Sequence, residues 1–170
     1  MHTEVPKKSI APDYKKIKVF LTDVDGVLTD AGMIYSDSGI QSKRFNAHDG
    51  MGLQLLRRTG MKTGFITSEE TKLVEHRFNK LKLHYLYQGK SEGGKLASAK
   101  EICEKEGISM DEVAYIGDDV NCLELLSAVG FPACPQDAVD EIKNIPGIFI
   151  LSKKGGDGCV RELIDLILKS

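Results

Sequence analysis

The sequence has no tryptophan, few aromatic residues and no apolar run long enough to span a membrane. A transmembrane helix needs about 20 consecutive apolar residues, so we expect no contact with a membrane. Lysines interrupt the N-terminal segment where the apolar core of a secretory signal would lie (Lys7, Lys8, Lys15 and Lys16), so no signal is predicted. The cytoplasm is therefore the expected location.

The chain also has no metal-binding cysteine cluster and no strong positive charge. Its four cysteines are far apart and show no Cys-x-x-Cys or Cys/His spacing, so we interpret them as small buried side chains in a reducing compartment. A net charge of -2 argues against binding to nucleic acid. The length of 170 residues suits one domain, predicted at 14–170 after a polar, proline-containing arm at 1–13.

The stretch 19–29 is the most informative part of the chain. It begins with apolar, β-branched and aromatic residues that are typical of a buried strand, and it continues into Asp23 and Asp25, followed by Gly26. Open α/β sheets bind ligands at the carboxyl ends of their strands. Two carboxylates so close together repel each other, so they need a proton or a cation nearby. Mg²⁺, which prefers oxygen ligands, is the predicted cation.

The rest of the chain alternates between strand and helix patterns. Predicted strands at 63–66, 85–89, 112–116 and 147–151 are separated by helical patterns, one of them at 70–81. This alternation predicts an α/β fold with a doubly wound, Rossmann-like parallel sheet.

A β-hairpin is predicted at about 31–45, directly after the aspartate loop. Two short strand-like runs, the second beginning at Ile40, flank a turn that contains Gly39. Two strands alone are only marginally stable, so the hairpin either covers the site or pairs with another chain.

Reactive side chains follow several of the predicted strands. Besides the two aspartates, they are Thr67, Lys95 and the pair Asp118 and Asp119. The strand ends of a parallel sheet share one edge, so these groups should converge. Carboxylates, a hydroxyl and a lysine suit metal-assisted phosphoryl transfer through a carboxylate nucleophile. In that chemistry one carboxylate attacks phosphorus, and a second protonates the leaving alcohol and then activates water.

The same residues resemble a known family. The four motifs of the haloacid dehalogenase superfamily phosphatases are similar to four segments of this chain: Asp23-Val24-Asp25-Gly26-Val27, Thr67, Lys95 and Gly117-Asp118-Asp119. The predicted hairpin in place of a large cap domain resembles one subfamily, the 3-deoxy-D-manno-octulosonate 8-phosphate phosphatases, which includes phosphatases for nine-carbon ulosonic acid 9-phosphates. Three further motifs of that subfamily are Phe45-Asn46-x-x-Asp49-Gly50, Tyr87-Gln88-Gly89 and Gly155-Gly156-x-Gly158-x-Val160-Arg161-Glu162.

The resemblance implies specific roles for the motif residues. Asp23 would be the nucleophile and Asp25 the general acid and base, while Thr67 and Lys95 would bind the transferring phosphoryl group. Asp23, the backbone carbonyl of Asp25 and Asp118 would hold Mg²⁺. The substrate would be the phosphate of an eight- or nine-carbon 2-keto-3-deoxy sugar acid. The subfamily typically forms homotetramers whose hairpins build a shared barrel, with one subunit capping its neighbour's site.

Glu69 bears on the choice between substrates. Octulosonate phosphatases usually have Gly-Arg where this chain has Ser68-Glu69, and Glu69 with Arg77 and Lys80 resembles the nine-carbon phosphatases. Glu69 would accept hydrogen bonds from a hydroxyl or an amine. Arg77 and Lys80 lie three residues apart on one helical face, where they either hold the substrate carboxylate or form a solvated face. Further substrate contacts are predicted at Asn46, His48, Asp49, Gly50 and Ser68.

Several alternatives stay open at this point. Lys90 could replace Lys95 as the motif lysine, although Lys95 is favoured because a helix begins there. Asp119 is either adjacent to the metal or a helix N-cap, and His48 is either a substrate contact or a surface residue. Cys122 stands where the family usually has aspartate, and we expect it to be packed rather than reactive.

A different class of function is also open. In some relatives this domain is a catalytically silent oligomerisation module, fused to acylneuraminate cytidylyltransferases. The presence of both Asp23 and Asp25 argues against that reading here.

Overall fold

The computed structural model describes residues 12–39 and 41–170. Within these residues the strands are β1 (Val19–Thr22), β2 (Ile34–Tyr35), β3 (Gln41–Ser42), β4 (Lys62–Ile66), β5 (Tyr85–Tyr87), β6 (Val113–Ile116), β7 (Phe131–Cys134) and β8 (Phe149–Ile150). The α-helices are α1 (Ala47–Arg58), α2 (Lys72–Leu81), α3 (Gly94–Glu106), α4 (Leu123–Ala128), α5 (Asp140–Lys143) and α6 (Cys159–Leu168). Most of the predicted N-terminal arm, and Ile40 of the predicted hairpin, lie outside the described residues.

Six strands form one parallel sheet in the order β5-β4-β1-β6-β7-β8. From the central strand β1 the chain winds outward through β4 and β5, then returns to the other side of β1 with β6. The strand order therefore reverses beside β1, which is where open α/β sheets bind ligands. The predicted doubly wound α/β fold is confirmed.

The central strand is buried on both faces because its side chains point alternately to two cores. Phe20 packs on the face covered by α1 and α6, which contribute Leu53, Leu56 and Ile164. Val19 and Leu21 pack on the opposite face, against residues of α3 and α4 such as Ile102 and Leu126. Since each face is covered by helices, the strand and the loop that follows it are firmly held.

The hairpin pairs β2 with β3 in antiparallel fashion, with Ile34 opposite Ser42 and Tyr35 opposite Gln41. Both strands have only two residues. Three consecutive large side chains, Met33, Ile34 and Tyr35, are exposed. This region is therefore held by contacts at its base rather than by a core of its own.

Some elements differ from the sequence-based expectations. The predicted helix at 70–81 begins at Lys72, because the Thr71 side chain accepts a hydrogen bond from Val74 N and caps it. Strand β7 was not predicted, and Pro132 lies within it. Ala133 faces β6, since its carbonyl accepts from Gly117 N, so Pro132 faces the side of β8, whose pairing with β7 begins only at Ala133. The missing N–H of the proline therefore lies at the end of that ladder. No described helix is long and apolar enough to cross a membrane.

Candidate active site

The predicted strand-end residues meet at one edge of the sheet. Asp23 directly follows β1, Thr67 directly follows β4, and Asp118 lies two residues after β6. The register brings these ends level, since Thr22 is the partner of both Phe65 and Ile116. The juxtaposition therefore follows from the parallel topology alone.

Asp23 is buried and firmly held. One carboxylate oxygen, Oδ1, accepts a hydrogen bond of 2.8 Å from the backbone N–H of Val24. The other, Oδ2, lies 2.6 Å from Lys95 Nζ and 3.0 Å from Cys122 Sγ. The side chains of Asp23 and Lys95 are only 5% and 3% exposed, so their ion pair is shielded from water.

Lys95, rather than Lys90, is the lysine that reaches Asp23. It lies in the first turn of α3 and points back towards the sheet edge. Burial alone would lower the pKa of Lys95, but the adjacent Asp23 and Cys122 raise it above the ordinary value, so the ammonium form persists. The Lys90 ammonium instead lies 5.8 Å from the ring centroid of Tyr87.

Cys122 completes the surroundings of Asp23. It is fully buried, and its sulfur lies 3.3 Å from the Tyr115 hydroxyl and 3.4 Å from Lys95 Nζ. Burial, reinforced by the charge of Asp23, raises the pKa of Cys122 to about 12, so the thiol stays protonated and donates to Asp23. The expectation that Cys122 is packed rather than reactive agrees with this environment.

Asp118 lies beside Asp23 in an arrangement that suits a cation. Oxygen atoms of Asp23 and Asp118 and the sulfur of Cys122 all lie within 4.8 Å of one another. Burial, together with the charges of Asp23 and Asp119, raises the pKa of Asp118 to about 7. Gly26 allows the aspartate loop to approach, because a Cβ there would lie 1.8 Å from Asp118 Oδ2. Two adjacent, partly desolvated carboxylates fit a hard divalent metal.

Asp25 lies at the mouth of the site and is held by a lysine from the hairpin. Lys43 Nζ is 2.6 Å from Asp25 Oδ1 and 3.0 Å from Glu69 Oε2. Burial raises the pKa of Asp25; Lys43 partly opposes this shift, while Glu69 and Asp23 add to it. A raised pKa favours the protonated form that a general acid needs.

Lys43 is a site residue that the sequence reasoning missed. The sequence signal was the apolar Phe45 two positions after Lys43; in the structure Gln41, Lys43 and Phe45 are partly buried, while Ser42 and Arg44 are exposed. Phe45 packs against the main core. Although β3 ends at Ser42, the same alternation continues through the next three residues, so Lys43 and the partly buried Phe45 share the inward face.

An open cleft of about 290 Å³ lies in front of these groups. Ser68 and Asn121 help to form its wall, with Asn121 Nδ2 donating to Ser68 Oγ at 2.9 Å. Asp119 also borders it and caps the following turn, since its side chain accepts from Val120 N. The cleft is lined by Asp23, Asp25, Ala31, Met33, Thr67, Ser68, Glu69, Asp118, Asp119 and Asn121.

A second group of predicted residues gathers at the start of α1, outside the cleft lining. Asn46 caps α1 by accepting from His48 N, and its carbonyl accepts from Arg77 at 3.3 Å. The Arg77 guanidinium lies 5.2 Å from the ring centroid of Phe45. A Cβ on Gly50 would come within 2.4 Å of Arg77, so this glycine gives the arginine its place.

The remaining predicted substrate residues are divided between core and surface. Asp49 is fully buried and accepts a hydrogen bond of 2.8 Å from Arg161 N, which joins α1 to α6. His48 and Lys80 are exposed. None of these three side chains lines the cleft of its own chain.

Comparison with known proteins identifies the family. A model of haloacid dehalogenase-like hydrolases matches residues 67–163. The 3-deoxy-D-manno-octulosonate 8-phosphate phosphatase KdsC of Escherichia coli is 36% identical over 156 residues, which are 91% of this chain and 80% of that protein. The chain belongs to the haloacid dehalogenase-like hydrolase family. The Yersinia pestis phosphatase of the same name is 37% identical over 154 residues, 89% of this chain and 80% of that protein.

Solved structures agree with this family assignment. The octulosonate phosphatase of Moraxella catarrhalis, in complex with magnesium, phosphate and a KDO molecule, is 35% identical, with a TM-score of 0.85 over 92% of this chain and 90% of that one. The cobalt-bound phosphatase of Haemophilus influenzae is 30% identical, with a TM-score of 0.85 over 92% of this chain and 94% of that one. The predicted family is confirmed, and this hydrolase is a phosphomonoesterase.

Proposed function

We propose that this hydrolase is a Mg²⁺-dependent phosphatase for the phosphate of an eight- or nine-carbon 2-keto-3-deoxy sugar acid. The observation that carries the proposal is the arrangement around Asp23. A buried carboxylate is paired with Lys95, lies next to Asp118, and opens onto a cleft that also contains Asp25. The octulosonate phosphatases among its relatives support the substrate class.

In the proposed reaction Asp23 attacks phosphorus and the bond from phosphorus to the sugar oxygen breaks. The electron pair stays on the sugar oxygen, which takes a proton from Asp25. The Asp25 carboxylate then takes a proton from a water molecule, whose oxygen attacks the aspartyl phosphate and releases inorganic phosphate and the Asp23 carboxylate. Lys95 and Thr67, buried beside Asp23, would bind the phosphoryl oxygens.

The metal would be held by Asp23, Asp118 and the backbone carbonyl of Asp25. When bound, Mg²⁺ supplies positive charge that offsets the repulsion between these carboxylates and a phosphate dianion. Burial and the charges of Asp23 and Asp119 raise the pKa of Asp118, and a bound cation would lower that pKa again.

Glu69 is the proposed determinant of substrate length. It lines the cleft and is partly exposed there, with a side chain 35% accessible, so it can accept hydrogen bonds from a substrate. A carboxylate in this place suits hydroxyl or amine groups better than a substrate carboxylate, which favours nine-carbon substrates.

A homotetramer would place a second set of substrate contacts. The predicted contacts that lie outside the cleft lining of their own chain and reach the surface are Asn46, His48, Arg77 and Lys80; Asp49 and Gly50 are buried and would support them from within α1. The exposed side chains of Met33, Ile34 and Tyr35 offer an apolar surface for assembly. In the proposed tetramer, Arg77 and Lys80 of one subunit would help to hold the substrate carboxylate in a neighbour's site. The four free cysteines suit the cytoplasm as its location.

The test is phosphate release from a panel of sugar phosphates, with Mg²⁺ and with EDTA. The panel includes octulosonate 8-phosphate, neuraminate and nonulosonate 9-phosphates, and simple phosphate esters. We expect metal-dependent turnover concentrated on one ulosonate and lost in Asp23→Asn. If only simple esters are cleaved, the substrate class is wrong. If nothing is cleaved and the protein is tetrameric, the silent assembly module becomes the better account.

Glu69→Arg tests the specificity argument within this panel. We expect the ratio of kcat/KM values to move from nine-carbon towards eight-carbon substrates, because an arginine pairs with a carboxylate. An unchanged ratio would remove Glu69 from the specificity argument.

A further inference from the structure

The Lys43 ammonium has a partner for each of its three hydrogens. It lies 2.6 Å from Asp25 Oδ1, 3.0 Å from Glu69 Oε2 and 3.7 Å from Met33 Sδ. Its side chain is only 1% exposed, although it belongs to a hairpin whose other side chains are largely solvated. A lysine loses much side-chain freedom when it is buried, so this position calls for an explanation.

The contacts of Lys43 join three separate segments at the mouth of the cleft. Asp25 belongs to the loop after β1, Glu69 follows β4, and Lys43 with Met33 comes from the hairpin. The neighbouring Arg44 points the other way and forms an exposed ion pair with Asp30. Of these two basic residues, therefore, Lys43 links the hairpin to the cleft and Arg44 does not.

The two aspartates of the loop need different kinds of support. Asp23 is held on both oxygens by the core of the protein, through Val24 N, Lys95 and Cys122. Asp25 is engaged through Oδ1 by Lys43. A general acid must keep one carboxyl oxygen directed at the leaving oxygen, and misplacement by about 1 Å can cost on the order of 100-fold in rate. Lys43 on Oδ1 leaves Oδ2 as the oxygen that carries the transferred proton.

We propose that Lys43 is a positioning residue for proton transfer by Asp25. In this role it fixes the Asp25 carboxyl by its bond to Oδ1, balances the adjacent Glu69 carboxylate, and makes the hairpin part of the catalytic apparatus. The proposal rests on the general acid role proposed for Asp25, but it does not depend on which sugar acid is the substrate.

The experiment compares kcat/KM for three kinds of phosphate ester. Para-nitrophenyl phosphate has a leaving group that departs without a proton. A simple alkyl phosphate has a leaving group that needs a proton, but the molecule carries no carboxylate. An ulosonate phosphate has a leaving group that needs a proton and also carries a carboxylate. Because kcat/KM covers steps only up to leaving-group departure, the later hydrolysis of the aspartyl phosphate does not enter. The ratio of alkyl to aryl values is also independent of how much of each variant is folded.

For Lys43→Met we expect kcat/KM to fall about 10- to 100-fold with the alkyl and ulosonate esters, and by less than about threefold with the aryl ester. Lys43→Arg, which keeps the charge, should recover most of the loss. Asp25→Asn should show the same pattern more strongly, by about 100- to 10,000-fold with alkyl esters. Arg44→Met removes a charge one residue away on the exposed side and should leave the ratio unchanged.

Other patterns would overturn the proposal. Equal losses with aryl and alkyl esters would make Lys43 a structural residue, and a loss confined to the ulosonate would make it a ligand of the substrate carboxylate. No change at all would also refute the role. If Asp25→Asn lowers aryl and alkyl activity alike, the acid role of Asp25 is wrong and the role of Lys43 falls with it. If wild-type protein cleaves simple esters but no ulosonate, only the proposed substrate class is wrong.

Discussion

Two aspartates separated by a single residue are each paired with a lysine at 2.6 Å, yet the two pairs belong to different parts of the molecule. Lys95 comes from helix α3, which is packed against the sheet, and both members of its pair with Asp23 are almost fully buried. Lys43 comes from a hairpin of two-residue strands, and Asp25 is 19% exposed. The comparison indicates that Asp23, the proposed nucleophile, is held by a helix of the main domain, whereas Asp25, the proposed acid and base, is held by the small hairpin.

This difference matters for what each aspartate is proposed to do. An attacking carboxylate must be fixed in place, and Asp23 is fixed by a buried ammonium on one oxygen and a backbone N–H on the other. A carboxyl that gives up and regains a proton benefits from partial contact with solvent and from a partner that holds its other oxygen in place. The following predictions test this division, from the largest expected effect to the smallest.

The largest effect is expected from removing the nucleophile. Asp23→Asn should lower kcat by roughly 1,000-fold or more with every substrate, aryl and alkyl alike, because it abolishes the covalent step itself. Steady-state phosphate release measures this directly. Asp37→Asn, on the exposed hairpin turn, is the matched control and should retain full activity. Substantial turnover by Asp23→Asn would show that another group attacks phosphorus.

The two lysines should differ in their effect on stability. In the absence of metal, Lys95→Met should lower the free energy of unfolding by about 3–5 kcal/mol, because it leaves the buried Asp23 charge without its cation. Lys43→Met should cost only about 1–2 kcal/mol, because Asp25 can gain water. Urea unfolding of both variants measures the difference. Equal losses would mean that the hairpin is as firmly built into the fold as α3.

The stability of the metal-free protein should fall as the pH rises from about 4 to about 7. Burial and the charges of Asp23 and Asp119 raise the pKa of Asp118 to about 7, so the folded state keeps a proton that the unfolded state loses near its ordinary value of 3.8. More protons are then bound in the folded state throughout this range, and deprotonation costs on the order of 2–4 kcal/mol of stability.

Urea unfolding at pH 5 and pH 8 measures this slope. Asp118→Asn should flatten it, and Mg²⁺ should stabilise wild-type protein more at pH 8 than at pH 5. A slope that Asp118→Asn leaves unchanged would place the responsible group elsewhere. The most direct alternative is Asp49, because burial raises its pKa to about 6.

The smallest effect on stability is expected at Asp49. This residue adds a third case to the comparison of Asp23 with Asp25, because it is a buried carboxylate without a paired lysine. One oxygen accepts from Arg161 N, while Oδ2 has no hydrogen-bond partner among the described residues. Asp49→Asn keeps the acceptor and removes the buried charge, so at pH 8 it should raise stability by about 1 kcal/mol. Asp49→Ala, which also loses the bond to α6, should lower it. Thermal unfolding of both variants decides the sign.

Much of the site was predictable because it depends on topology. The alternation of strands and helices, with Asp23, Thr67 and Asp118 each just after a strand, requires these residues to meet at one sheet edge. Lys95 was predictable from the start of a helix in the crossover before β6. These inferences need no knowledge of side-chain packing.

The parts that sequence reasoning missed depend on which way a side chain turns. Lys43 and Arg44 are adjacent basic residues, and it is the packing of the partly buried Phe45 against the core that shows which of the two lies on the inward face. Strand β7 was missed because its proline argues against a central strand, whereas Pro132 lies just before the residues of β7 that pair with β8. The placement of Arg77 against Phe45 and Asn46 likewise follows from packing, which periodicity alone does not reveal.

The most direct test of the proposed division of labour is to look for phosphate on Asp23 in Asp25→Asn. Para-nitrophenyl phosphate can phosphorylate Asp23 without an acid, but hydrolysis of the aspartyl phosphate still needs a base. Rapid quenching followed by peptide mass spectrometry should therefore find a phosphoryl group accumulating on Asp23 in this variant, after a burst of one para-nitrophenolate per site. A protein that releases para-nitrophenolate steadily with Asp23 unmodified, or that carries the phosphoryl group on another residue, would contradict the account.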